Sequence, residues 1–450
     1  MGEEAIGQPA SQALGAADAS AALRRRSIAA ATIGNALEFY DFVTYTFFSI
    51  QIGKTFFPSH DSYTSLMLSL ATFGAGFVTR PIGGIIIGAY SDRAGRRPAM
   101  MLSFTLMGVA IVALACIPSY AQIGIAAPIL AVIARMVQGF SLGGEVGPTT
   151  AYLLEAAPPK SRGLAVSWQG ASQNIASMVG GLVGVVLSAV LAADFLDAYG
   201  WRIAFLLGAV TLPFGIWIRR GLPETLHGPD VAAKPAPAAT PRGRLGVLSD
   251  NRRILLLGLM VLASGTIGTY VFNYMTTFAE HSLHMRASVA FLASALGNVG
   301  GVAAGLYGGW LSDRIGRRPM MIWPHLAYVL LIVPIFFWIT EARSALALIV
   351  GTFTLGVMGA LSIGAFYAAV TETLPKHIRG GAFATIYALS IAIFGGTTQL
   401  IVTWLIHVTG SAMAPAWYLL GAAVVGHVAR WLILESAPIK DPAMAVTMMG

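Results

Sequence analysis

An eleven-residue string occurs twice in this 450-residue chain, once in each half. The first copy is Gly88-Ala89-Tyr90-Ser91-Asp92-Arg93-Ala94-Gly95-Arg96-Arg97-Pro98. The second is Gly309-Trp310-Leu311-Ser312-Asp313-Arg314-Ile315-Gly316-Arg317-Arg318-Pro319. Asp92 and Asp313 stand 221 residues apart, and each copy lies between two long apolar runs. A second signature repeats at nearly the same offset. Glu155 and Arg162 close the fourth apolar run, Glu372 and Arg379 close the tenth, and both pairs are 217 residues apart. Duplication at half the chain length predicts two homologous units joined in one bundle, an arrangement common among membrane carriers.

The solvent of that bundle follows from composition. Only 11% of the residues are charged and 56% are apolar, whereas soluble domains carry about 25% charged residues. Twelve apolar runs begin near Ser27, Thr64, Pro98, Ile123, Gly163, Trp201, Arg253, Ser288, Pro319, Ala345, Gly381 and Ala416. The expected fold is an all-α membrane protein of twelve transmembrane helices in two six-helix pseudo-symmetric halves. Residues 24–220 form the first half and 253–436 the second. Residues 1–23 are expected to be a disordered cytoplasmic tail, 221–252 a cytoplasmic linker rich in Pro and Arg, and 437–450 a second cytoplasmic tail. Arg24-Arg25-Arg26 imitates the start of a signal peptide, but the apolar run behind it is too long and contains Glu38 and Asp41, so it reads as an uncleaved first helix.

The net charge is +8. The cations sit between apolar runs and form no basic face, which argues against nucleic acid as partner. With the N-terminus inside, 22 of the 28 Lys and Arg, Arg430 among them, fall in cytoplasmic positions and four in outer loops. That asymmetry places both termini in the cytoplasm. The single cysteine, Cys116, excludes an intramolecular disulfide framework and reads as an inert packing residue. His281 and His284 read as solvated loop residues. No Walker motif, nucleophile elbow or metal-ligand cluster is visible, so neither an ATP-driven pump nor an enzyme is expected, and no cofactor beyond the proton. The absence of a sizeable soluble signalling region disfavours a receptor.

The motif G-x-x-x-D-R-x-G-R-R between the second and third helices, echoed between the eighth and ninth, resembles the major facilitator superfamily. Three further segments resemble its metabolite:proton symporter branch. They are Gly34-Asn35-Ala36-Leu37-Glu38-Phe39-Tyr40-Asp41-Phe42, Arg80-Pro81-Ile82-Gly83-Gly84, and Gln138-Gly139-Phe140-Ser141-Leu142-Gly143-Gly144-Glu145. Phe73-Gly74-Ala75-Gly76-Phe77 and Ser167-Trp168-Gln169-Gly170-Ala171-Ser172-Gln173 look most like the citrate and tricarballylate carriers. The resemblance implies proton-coupled symport of an anionic organic acid across the bacterial inner membrane by alternating access, with a small-molecule acid and a proton as partners and lipid as surroundings. The same branch carries zwitterions such as proline and betaine, and shikimate or aromatic acids, which remain alternatives. Such a chain is expected to work as a monomer.

Ionisable groups inside the membrane are costly and point to function. Arg80 lies about eleven residues before Ser91, which at 1.5 Å per residue is roughly 16 Å deep; Arg135 has a similar depth in the fourth helix. Arginine's planar fork holds a carboxylate through two hydrogen bonds, so Arg80 and Arg135 are the candidate substrate ligands. Glu38 and Asp41 share one face of the first helix, and with Glu145 they are candidates to carry the coupled proton. Gln169, Gln173, Asn35, Tyr270 and Asn273 are candidate cavity-lining groups. The alternative for all of these is helix-to-helix bonding. Asp92, Arg93, Arg96, Arg97, Asp313, Arg314, Arg317 and Arg318, with Glu155, Arg162, Glu372 and Arg379, are read as a gating charge network. In it, Asp92 would face a helix N-terminus of the other half. The motif glycines would permit close helix contact or a tight turn, and Gly180, Gly181 and Gly184 close packing.

Overall fold

The computed structural model describes residues 32–33, 35–37, 39–94, 96–143, 153–154, 157–210, 213, 252–374, 383 and 385–440. The expected linker and both tails therefore lie almost wholly outside the described residues. Twelve principal helices can be followed among the described residues, beside several short helical turns. α1 runs over residues 39–56 with a turn at Phe48. It is followed by α2 (Ser62–Ala94), α3 (Arg96–Cys116), α4 (Ala126–Leu142), α5 (Arg162–Val190) and α6 (Trp201–Val210). The second half holds α7 (Arg252–Thr277), α8 (Ala287–Ile315), α9 (Arg317–Ala342), α10 (Ala345–Leu361, continued by Ile363–Thr373), α11 (Thr385–Thr409) and α12 (Ala414–Leu432). Seven of these are long and apolar enough to cross a membrane, and α4 is a shorter apolar helix.

Local chemistry explains the boundaries. α2 starts where Asp61 accepts from the Tyr63 and Thr64 amides, both at 3.1 Å, and from the Thr64 hydroxyl at 2.8 Å. The Thr64 hydroxyl first, and then the Tyr63 amide, hold this exposed carboxyl below the usual range. α10 starts at Ser344, whose Oγ accepts from the Ala347 amide, an N-cap. α8 ends on Gly316 at φ +110°, a backbone conformation that favours glycine. The second motif copy therefore contains the tight turn expected of it. α7 continues past Thr277 as a π-turn through Ser282, so half-buried His281 belongs to a helix end and not to a solvated loop. Cys116, expected to pack, is exposed at the end of α3.

Helix packing relies on missing side chains. In the first half, α2 and α4 touch backbone to backbone. A Cβ on Gly139 would strike the Gly76 carbonyl, one on Gly83 the Phe140 carbonyl, and one on Gly143 the Arg80 carbonyl. The Thr79 hydroxyl donates across the same contact to the Met136 carbonyl at 2.7 Å. In the second half the corresponding pair, α8 and α10, is built alike. A Cβ on Gly308 would meet the Leu361 carbonyl, and one on Gly356 would lie 2.6 Å from the Gly297 carbonyl. Close contact of small residues is how helices associate without a hydrophobic driving force. Between the halves, α5 lies along α8. Gly181 meets Ala295, Gly184 meets Phe291, and Gly309 meets Ser167 and Gly163, so the close-packing role read for the α5 glycines and for Gly309 holds. α2 likewise meets α11 through Gly74 and Gly396.

Candidate functional site

The α2–α4 contact carries two arginines into the centre of the molecule. Arg135 is 1% and Arg80 9% exposed. Phe73, Phe77 and Arg80 are spaced four and three apart on α2, hence on one face. The Arg80 guanidinium sits over the rings of Phe77 (4.6 Å) and Phe42 (4.7 Å). That of Arg135 sits over Tyr45 (4.4 Å), Phe73 (5.2 Å) and Phe42 (5.3 Å). Phe42, Phe73, Phe77 and Tyr270 of α7 form a connected cluster with centroids 4.7 to 6.1 Å apart. The faces of these rings attract cations, so the protein's own guanidiniums occupy them.

Arg135 Nη1 donates to Gln138 Oε1 at 2.5 Å and lies 4.0 Å from Asp41 Oδ2. Asp41 is 2% exposed, and among the described residues neither of its carboxyl oxygens accepts a hydrogen bond. The pair is thus within ion-pair reach without the hydrogen bonds that usually stabilise such burial. Glu38, Glu145, Glu155 and Arg379 lie outside the described residues, as do the side chains of Asp92, Arg96 and Arg97.

Beside this centre is a cavity of about 40 Å³, lined by Gln173, Tyr270, Tyr367, Tyr387, Phe39 and Arg430 among others. Gln173 donates to the Tyr387 hydroxyl at 3.3 Å. The other expected lining residues are placed differently. Asn35 donates to Ser172 Oγ (2.6 Å) and accepts from Gln169 Nε2 (3.3 Å), tying α5 to the segment before α1. Asn273 is buried in α7 away from the cavity. Arg430 corrects the sequence reading. It was counted among the cytoplasmic loop cations, but it is 3% exposed inside α12. Its position within the apolar run beginning at Ala416 was the available signal.

At the end of the bundle bearing the duplicated motif, here the motif end, the second copy makes contact with the other half. Asp313 accepts from the Gly163 amide at 2.8 Å and the Leu164 amide at 2.9 Å, the free first-turn amides of α5. This is the carboxylate-to-helix-terminus contact that was expected of Asp92. Arg317, fully buried, donates to Asp313 (2.7 Å), to Ser312 Oγ (2.8 Å) and twice to Glu372 (3.0 and 3.2 Å). Glu372 therefore joins the network through Arg317. Arg314 lies over the Trp310 ring at 3.8 Å and Arg318 near Trp431 at 5.8 Å, while Arg93 is exposed. Arg162 is 8% exposed at the start of α5.

The Major Facilitator Superfamily profile matches residues 31–395 and 266–445. The chain belongs to the major facilitator superfamily. It is accordingly a multi-pass membrane transporter. A citrate-proton symporter of Salmonella typhi is 36% identical over 406 residues, covering 88% of this chain and 90% of the relative. An alpha-ketoglutarate permease of Escherichia coli is 35% identical over 412 residues, covering 89% and 92%. A proline/betaine transporter of Escherichia coli is 30% identical over 444 residues, covering 94% and 86%. Among solved structures, a D-xylose-proton symporter superposes with a TM-score of 0.74 at 18% identity, over 92% of this chain and 98% of that one, a likeness of fold.

Proposed function

We propose that this transporter is a proton-coupled symporter of an anionic organic acid, a tri- or dicarboxylate. The observation that carries the reading is the buried Asp41–Arg135 pair, 4.0 Å apart and not hydrogen-bonded. With Asp41 ionised, the Asp41–Arg135 pair carries no net charge in the empty carrier. A proton on Asp41 removes the compensating charge and leaves Arg135 to take a substrate carboxylate, which restores neutrality. Proton without anion, or anion without proton, leaves a net charge in a low-dielectric interior and reorients poorly. Arg80, on the same aromatic cluster, adds a second cation facing the same region. Gln173, Tyr270 and Tyr387 supply neutral donors at the cavity.

The zwitterion alternative has support in the proline/betaine relative. An ammonium is drawn to aromatic faces, and at the arginine centre those of Phe42, Phe73 and Phe77 are taken by Arg80 and Arg135. This favours an anion. The positive-inside asymmetry supports a motif end and both termini facing the cytoplasm of a cell whose inner membrane holds the protein; moving Arg430 to the interior lowers the count of 22 by one and leaves the asymmetry intact. The candidate site lies between the chain's own halves, which fits a monomer that uses no cofactor besides the proton.

The test is uptake of labelled citrate, tricarballylate, 2-oxoglutarate, shikimate and proline into proteoliposomes, with and without an imposed pH gradient. Citrate or a related acid is expected to accumulate only with the gradient. Asp41→Asn is expected to exchange acid across the membrane at no less than about a tenth of the normal rate, while losing proton-driven accumulation. Gradient-independent uptake, or unimpaired accumulation by Asp41→Asn, overturns the reading.

A further inference from the structure

A tricarboxylate has one more carboxylate than the first half has central arginines, and the second half contains a buried cation of its own. Arg430 of α12 lines the central cavity together with Gln173 of α5 and Tyr387 of α11. It is 3% exposed, and its Nε has no hydrogen-bond partner. Its Nη1 lies 2.9 Å from Nε2 of His325 on α9. Arginine only donates, so His325 Nε2 is the acceptor and this ring carries its proton on Nδ1. That Nδ1 faces His427 Nδ1 at 3.4 Å. The partner of Arg430 is thus a neutral imidazole, which orients the guanidinium without discharging it. Arg317 is the contrast: two carboxylates, Asp313 and Glu372, pair with it. Room for the Arg430 fork comes from Gly426, where a Cβ would lie 3.0 Å from Nη1. The remaining neighbours are apolar or uncharged. Phe366 lies 6.0 Å from the guanidinium carbon, and the Tyr328 ring packs on His325 at 5.7 Å.

A buried guanidinium beside a cavity, with an unpartnered Nε and no carboxylate partner among the described residues, has the chemistry to take an anion. We propose that Arg430 is the carboxylate ligand of the second half. It holds a different carboxylate of the substrate from the one held by Arg135, so that only an acid with two or more carboxylates ties the two halves together. This rests on the organic-acid reading and goes beyond it by assigning a residue and a minimum valence. His325 is a positioning residue for the Arg430 fork.

The test uses the full chain with its one cysteine removed (Cys116→Ala), reconstituted in proteoliposomes. Arg430→Cys is expected to lose at least tenfold in tricarballylate uptake. Modification with a methanethiosulfonate that attaches an ethylammonium should restore a cation there and recover uptake several-fold, whereas the ethylsulfonate reagent should recover none. Tricarballylate should slow both modifications. Equal effects of the two reagents, or no protection by tricarballylate, overturns the proposal. Should Arg430→Cys not reach the membrane, Arg430→Lys decides. A point charge in place of a two-donor fork is expected to raise KM for tricarballylate about tenfold with kcat retained, and an unchanged KM overturns it. Wild-type uptake that ignores the pH gradient would defeat the organic-acid symport reading itself. Gradient-driven wild-type uptake with unaltered Arg430 variants would defeat this assignment alone.

Discussion

At the motif end a single carboxylate joins the two halves. Asp313 accepts two amides from the first turn of α5, in the other half, and is held by Arg317 from behind. Both amides are orphan donors that the helix cannot satisfy internally, and they carry its positive dipole. Asp313→Asn keeps the shape but presents an NH2 to one of these N–H groups and removes the charge. Charge-assisted bonds are worth about 1.5–3 kcal/mol, and 1.4 kcal/mol is about tenfold in an equilibrium. The variant should therefore favour the state open at the motif end by roughly tenfold or more. Ser167→Cys in a cysteine-free background reports this, because Ser167 is fully buried against Gly309 and Gly364 at that junction. Its labelling by a thiol reagent should quicken in Asp313→Asn, and an unchanged rate would show that the contact does not latch the gate. The first motif copy carries the same residue types, but the tight turn and the helix-terminus contact are described for the second.

At the scale of elements, the α2–α4 contact is what sets the two central arginines in place. Gly139→Ala drives a methyl into the Gly76 carbonyl, and backbone on both sides leaves nothing to yield except the helix separation. Overpacking of this sort costs about 1–3 kcal/mol. We expect a lower melting temperature in detergent and loss of uptake. Gly421→Ala is the control, since a Cβ there meets nothing within 4 Å; equal behaviour of the two variants would remove the contact from the account of the site. Helix starts were legible in the sequence. Runs read from Trp201 and Ala345 begin at those residues, and those read from Gly163, Arg253 and Ser288 begin one residue earlier, because charged or capping residues mark the membrane boundary. The buried face was not legible. Exposed Ile85, Val78 and Leu330 are as apolar as any core residue, so in a lipid-facing bundle hydrophobicity does not tell inside from outside. Arg430 was lost for a related reason: its nearness to a run's end made an interior cation look like a loop cation. Gln169 and Asn35 were legible as polar residues in apolar runs, but sequence does not reveal that they bond to each other.

Across the whole molecule the scaffold is symmetric and the charge is not. The offset of 221 puts Gly301 opposite Arg80, and the offset of 217 puts Thr352 opposite Arg135. The second half supplies its cation from α12 instead. A substrate bridging these unlike positions would draw the halves together, and both ends are already joined here. At the end opposite the motif, Ser49 Oγ meets Thr277 Oγ1 at 3.0 Å, Gln51 donates to Glu280 at 3.0 Å, and the Tyr63 and His407 rings stack at 3.8 Å. Among the described residues, contacts therefore join the two halves both at the motif end and at the end opposite it. Reorientation must break one set of contacts while keeping the other, since opening both would leak the proton. Ser49→Cys with Thr277→Cys, in the Cys116→Ala chain, tests this directly. Oxidative cross-linking of the pair should abolish uptake, and reduction should restore it. Cross-linked protein should still label faster at Ser167→Cys when Asp313→Asn is added, because the motif end remains free to open. Undiminished uptake by the fully cross-linked chain would mean that α1 and α7 do not part during transport, and alternating access between these two halves would fail with it.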